Sequence, residues 1–175
     1  MTTTNLKGKI EFGLQIAIAL SILVIAGVIV KRTFFPERTN RPTLEQQAQS
    51  LLGTRINVPG ADWAQNKKSL VFFLKKDCIY CDTIAPVYRD LIGEAEKRNV
   101  KVIAILPNSL EEGRHYVQSL NLTINDVQSG SLSNYKIPGT PAVLVVDGNG
   151  TIKGAWIGAE PGREREMREK LVGLL

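Results

Sequence analysis

Hydrophobic positions divide the chain into two unlike regions. From Ile10 to Val30 it reads IEFGLQIAIALSILVIAGVIV, charged only at Glu11 near its edge and mildly interrupted by Gln15 and Ser21. About 20 apolar residues, rising about 1.5 Å each, cross the roughly 30 Å hydrocarbon core of a bilayer. Apolar character on every face over this length predicts a transmembrane helix, not a helix of a soluble core. The run exceeds the roughly 7–15 apolar residues of a secretory signal, and it meets Lys31 and Arg32 without a small-x-small cleavage site. The expectation is an uncleaved anchor at 10–30 after a short tail at 1–9. A polar linker punctuated by Pro36 and Pro42 is expected at 31–43, and a folded domain at 44–175.

Within that domain the period of the pattern changes repeatedly. Leu44 to Leu52 has weak helical character, and Gly53 to Trp63 suggests turns or short strands. Ser69 to Leu74 (SLVFFL) and Val100 to Leu106 (VKVIAIL) are continuous apolar runs, as expected of strands buried on both faces. Between them, Cys78 to Arg98 turns helical, with Ile84, Val87, Leu91 and Ala95 on one stripe. Strand, helix, strand at this spacing predicts a right-handed βαβ unit. A second helix is predicted from Ser109 to Leu120, with Ser109 as N-cap and Glu111 and Glu112 in its first turn. A short strand at Ile124 to Val127 and a short helix at Ser131 to Tyr135 are expected next. Ala142 to Val146 and Thr151 to Ile157 flank Asp147-Gly-Asn-Gly150 as a hairpin, and a charged helix closes the chain from Arg163 to Leu175.

Composition narrows the chemistry. The formal charge of +5 on 175 residues could suit an anionic partner. The cations are scattered, however, and cluster mainly beside the apolar run (Lys31, Arg32, Arg38, Arg41), so no nucleic-acid partner is expected. Charges flanking the run differ by about one and lean slightly toward a cytoplasmic domain, too little to decide orientation. The chain has two cysteines, Cys78 and Cys81, and one histidine, His115. A zinc ribbon needs a second ligand pair, and a disulfide scaffold spreads its cysteines to close long loops. The isolated C-x-x-C leaves redox exchange as the main reading, with no metal site expected.

The residues after the pair carry a resemblance. Cys78-Ile-Tyr-Cys81 is followed by Ile84-Ala85-Pro86, and Gly139-Thr140-Pro141 stands just before the hairpin. In this register the chain resembles the thioredoxin superfamily over Ser69 to Leu175. The longer interval from Cys81 to Pro141, the anchor and the pre-core segment are similar to the TlpA-like and related redoxins. The resemblance implies an α/β thioredoxin fold, a central mixed sheet flanked by helices, with an inserted helical segment at Ser109 to Tyr135. It implies that Pro86 kinks the active-site helix. It also implies that Pro141 is cis, keeps metals off the dithiol, and sits beside backbone at Thr140 that pairs with an extended substrate. A bacterial, single-pass location in the cytoplasmic membrane with the domain facing outward follows from the same likeness.

The chemistry requires a thiolate near neutral pH, and an ordinary cysteine is mostly protonated there. A helix N-terminus at Cys78 aims N–H groups and the positive dipole end at its sulfur, which makes Cys78 the expected nucleophile. Cys81, one turn inward, is expected to resolve the mixed disulfide. The redox-active disulfide is then the sole cofactor expected, with disulfide-containing proteins and a dithiol electron donor as partners and the bilayer as a third. Two departures from thioredoxin stand out. Asp77 replaces the tryptophan before the first cysteine, and Phe72 occupies the place of the buried acid assigned to proton transfer. The proton acceptor is thus unidentified, and Ile79-Tyr80 between the cysteines does not reveal the potential. The direction stays open between oxidant and reductant, with a reductant the favoured expectation. The alternatives are a thiol peroxidase, although Leu74-Lys-Lys-Asp77 lacks the Pro-x-x-x-Thr-x-x-Cys pattern, and a copper-binding module, although Met1 and Met167 are remote. His115 reads as a surface residue, Trp156 as packing, and Trp63 as either a cover for the site or a pin for the pre-core segment.

Overall fold

The structure, a computed structural model, describes the backbone of residues 3–34 and 42–175, and the side chains of residues 15, 17–31 and 42–175. Most of the expected linker lies outside the described residues. The chain divides into two compact units, Met1–Arg41 and Pro42–Leu175.

In the first unit, helix α1 runs from Thr3 to Phe34, 32 residues. At 1.5 Å per residue that is about 48 Å. The Ser21 hydroxyl donates to the Ala17 carbonyl one turn back (2.9 Å), which hides its polarity. Every large apolar side chain described from Ile18 to Val30 is more than half exposed. Among the described residues no helix is long and apolar enough to cross a membrane. The anchor expected at 10–30 falls partly outside them, since the side chains of 10–14 and 16 are not described.

In the second unit a five-stranded sheet forms from β1 (Lys68–Phe73), β2 (Lys101–Leu106), β3 (Asp126–Ser129), β4 (Ala142–Asp147) and β5 (Ile152–Ile157), in the order β3-β2-β1-β4-β5. β1, β2 and β3 are mutually parallel, and β4 and β5 continue antiparallel. Helices α2 (Leu44–Leu51), α3 (Ile79–Lys97), α4 (Leu110–Ser119) and α5 (Glu164–Val172) complete it, with a 3-10 turn at Leu132–Tyr135. The pleat sorts β1 into two cores. Leu70 and Phe72 join the α3 and α5 side, while Val71 and Phe73 join the layer holding α2 and Ile56. All four are 0% exposed, and each such side chain contributes about 1.5–3 kcal/mol of burial. This is why SLVFFL shows no alternation: both faces of the strand are covered.

Several boundaries differ from expectation. On α3 the core stripe holds Ile84, Tyr88 and Leu91, while Val87 is only partly buried, because the larger ring fills the space over Phe72. The short strand starts at Asp126, where parallel pairing to Ile103 begins, two residues later than predicted. As expected, the inserted segment holds a strand as well as helix, and β3 forms the edge of the sheet. Gly53 to Trp63 makes one isolated bridge, Arg55 to Thr151, and no strand. Trp63 packs at the hairpin turn, where a side chain on Gly150 (φ 76°) would come within 3.0 Å of its ring. It therefore pins the pre-core segment, and it stands at the far end of β4 from the cysteines. Trp156 is buried under Arg163 and Lys170, whose charged groups lie 5.0 and 5.7 Å from its ring.

Candidate active site

The cysteines stand where β1 delivers the chain into α3. Lys76 N–H donates to Asn108 Oδ1 (3.1 Å), tying this turn to the loop after β2. Asp77 then adopts a left-handed conformation (φ 61°), which an acidic side chain tolerates better than most. Cys78 is the N-cap of the 19-residue α3, and its carbonyl accepts from the N–H groups of Cys81 (2.9 Å) and Asp82 (3.2 Å). It makes no side-chain cap bond. Its partly buried sulfur therefore lies at the positive end of the helix with the first-turn N–H groups nearby.

Cys81, one turn on, is 0% exposed, and the two Sγ atoms are 2.7 Å apart. Both cysteines are free thiols. Burial pushes the Cys81 thiol up to about 12, helped by the hydrogen bond to Cys78 and opposed by a backbone hydrogen bond at Lys75. Opposite the pair, the Thr140–Pro141 peptide bond is cis. The Thr140 hydroxyl donates toward Cys78 Sγ (3.6 Å), and the Thr140 carbonyl accepts from the Cys78 thiol (3.8 Å). The Pro141 carbonyl is fixed by Gly158 N–H (2.7 Å). Gly158 has φ 86°, and any side chain there would collide with Leu44. The structure thus brings Cys78, Cys81, Thr140 and Pro141 together.

The remaining predicted surroundings differ in position. Tyr80 is 60% exposed and forms one wall of a cleft whose other side is Gly139, Thr140 and Gly158, with Leu44 and Gln47 of α2 at its end. Pro86 lies inside α3 on its exposed side, and having no N–H it cannot bond the Asp82 carbonyl one turn back. Asp77 and Asp82 line a groove with Lys76, Glu112, His115 and Tyr116. His115 is exposed there.

Sequence reasoning missed two tyrosines. Tyr116 is buried, and its hydroxyl donates to Asp82 Oδ1 (2.6 Å). Burial, then the Asp82 bond, then the charges of Cys81 and Cys78 hold its phenol far above the usual range. Tyr88 is 0% exposed, meets Phe72 edge-on at 5.2 Å, and has no hydrogen-bond partner for its hydroxyl among the described residues. Burial raises it too, with the two cysteine sulfurs the next causes. The available signal was their spacing. Tyr88 is seven residues past Cys81 on one helix face, and Tyr116 shares a face with the buried Gly113, Val117 and Leu120.

Comparison with known proteins agrees with this geometry. A family model described as the AhpC/TSA family matches residues 41–155. A crystal structure described as a thiol:disulfide interchange protein DsbE from Chlorobium tepidum is similar, with a TM-score of 0.54 and 13% identity over 70% of this chain and 94% of that one. The solution structure of a thiol:disulfide interchange protein from Bacteroides sp. gives a TM-score of 0.50 and 20% identity over 69% and 85%. At such identities the likeness is one of fold. No curated protein matches the sequence.

Proposed function

The chain belongs to the AhpC/TSA family, and we propose that it works as a membrane-tethered thiol-disulfide oxidoreductase that reduces disulfides of protein substrates. The observation that carries this reading is the Cys78 sulfur at the N-terminus of α3, 2.7 Å from Cys81 Sγ and facing Thr140 across the cis bond. The Cys78 thiolate attacks one sulfur of a substrate disulfide, and the other substrate sulfur leaves with the electron pair. Cys81, once deprotonated, attacks Cys78 Sγ, the second substrate sulfur leaves, and the Cys78–Cys81 disulfide remains. Two electrons have passed to the substrate, and a dithiol donor restores the pair. No further cofactor enters the scheme.

Thiol:disulfide interchange is the activity named for both structural relatives, and a C-x-x-C pair beside a cis-proline supports carrying it over. The reductant direction rests on the resemblance to thioredoxin and the TlpA-like redoxins. The tether is supported by α1, 32 residues long with its large apolar side chains exposed. An outward-facing domain rests on the resemblance to TlpA-like redoxins. The test is the equilibrium potential of the Cys78–Cys81 couple in the full-length protein, titrated against dithiothreitol and glutathione. A value at or below about −250 mV is expected, and one near about −120 to −180 mV would make the protein an oxidant or isomerase. Absence of a reversible two-electron couple would end the redox reading.

A further inference from the structure

Two clefts adjoin at the residues between the cysteines, and both are lined by Tyr80 and Ala159. The first has Thr140 and Gly158 on one wall and Leu44 of α2 at its end. The second runs along α3 from Ile79 to Ile84 and is lined across from it by Glu160, Pro161 and Glu164. Ile79 (71% exposed), Tyr80 and Leu44 present large hydrophobic side chains to solvent here. Such a patch beside a reactive sulfur is a surface for a substrate segment to cover.

The two acids of the second cleft differ. Glu160 is neutralised by Arg163, whose guanidinium donates to it and to Glu166. Glu164, in the first turn of α5, is half-buried, and its carboxylate has no hydrogen bond or ion pair among the described residues. The helix dipole favours an acid in that turn, but Glu166 meets the same need while exposed and paired. Among the described residues, no lysine or arginine lines either cleft. The local charge is thus opposite in sign to the formal +5 of the chain. A carboxylate without a cation on the wall of an apolar cleft complements a cationic group.

We propose that the second cleft takes a basic residue of the substrate, so that Glu164 selects disulfides carried in cationic segments. This rests on the oxidoreductase reading above. The apolar wall suits this occupant, because lysine and arginine lay their methylene stems on hydrophobic surface while the charged end meets a polar group. From Ile79 to Ile84 the helix advances about 7.5 Å, the length of two to three residues of extended chain. The basic residue therefore stands two or three positions from the substrate cysteine that Cys78 engages. Glu164 touches substrate without entering the sulfur exchange.

The experiment mixes the reduced full-length protein with cysteine peptides activated as mixed disulfides with pyridine-2-thiol, and follows the coloured thione released. Three peptides differ only two and three positions to either side of the cysteine, where they carry lysine, glutamine or glutamate. At low salt the lysine peptide should react about fivefold faster than the glutamine peptide, and the glutamate peptide more slowly than both. High salt should shrink these differences. In Glu164→Gln the lysine preference should fall to within about twofold, and in Glu164→Lys the order should reverse. Glu169→Gln removes an exposed acid of the same helix outside both clefts and should keep the preference, which separates recognition in the cleft from net charge. The ratio between peptides is read within each variant, so a loss of folded protein does not move it. Rates within about twofold for all three peptides in the unsubstituted protein, or a full lysine preference in Glu164→Gln, overturn the inference alone. Release of no thione from any peptide removes the oxidoreductase reading and this inference with it.

Discussion

The enclosure of Cys81 has a thermodynamic signature that does not depend on turnover. Its thiol ionises near 9.0 when unfolded and near 12 in the folded, reduced protein, chiefly because burial disfavours the charged sulfur. Above pH 9 the unfolded chain therefore sheds a proton that the folded chain keeps, and stability falls as pH rises. The contribution is fully present below pH 9 and is lost through pH 12, at about 1.4 kcal/mol per pH unit and about 4 kcal/mol in all. Urea unfolding of the reduced full-length protein and of Cys81→Ala, near pH 8.5 and near pH 10.5, measures it. Tyr88 and Tyr116 stay neutral in both folded proteins over this interval and ionise only in the unfolded chains, so their contribution is common to the two. Over this interval the unsubstituted protein should lose about 2 kcal/mol more than Cys81→Ala. At a urea slope of about 2 kcal/mol/M, that is a midpoint shift larger by about 1 M. Parallel losses in the two proteins would refute the enclosure of Cys81.

Two other predictions follow from the elements around the site. Ser109 caps α4 by accepting from Glu112 N–H (3.3 Å), while the Glu112 carboxylate accepts from Ser109 N–H (3.4 Å), so Ser109→Ala should cost about 1 kcal/mol in thermal or urea unfolding. An unchanged midpoint would show that packing alone holds the helix that carries Tyr116. If α1 is the tether, the protein should sediment with membranes and resist alkaline carbonate extraction, while a chain lacking residues 1–41 should not; release of the full-length chain would refute the anchor.

Much of this protein is written in local pattern. The runs at β1, β2 and β4 are apolar on both faces, so length and flanking turns sufficed to mark them as strands, and Asp147 to Gly150 fixed the hairpin. Ser109 as N-cap, with Glu111 and Glu112 in the first turn, marked the start of α4, and the structure adds a reciprocal bond between Ser109 and Glu112 there. Cys78 and Cys81 were legible because two thiols three apart, immediately after a buried strand, fall by covalent geometry on the first turn of the next helix. Thr140 and Pro141 were placed by resemblance, and their proximity to Cys78 is a property of the folded sheet, which pairs β4 with β1.

Local pattern could not assign the α3 face, because Val87 and Tyr88 are adjacent and either could turn inward; the space over Phe72 chose the tyrosine. Nor could it join Asp82 to Tyr116. Those residues are 34 apart, one on the active-site helix and one on the inserted helix, and each alone reads as an ordinary surface acid and a core aromatic. The sequence determined where sulfur chemistry enters the chain, because periodicity and spacing act over a few residues. Only the tertiary structure decided which tyrosine Asp82 meets, because that depends on how two helices far apart in sequence pack on one sheet.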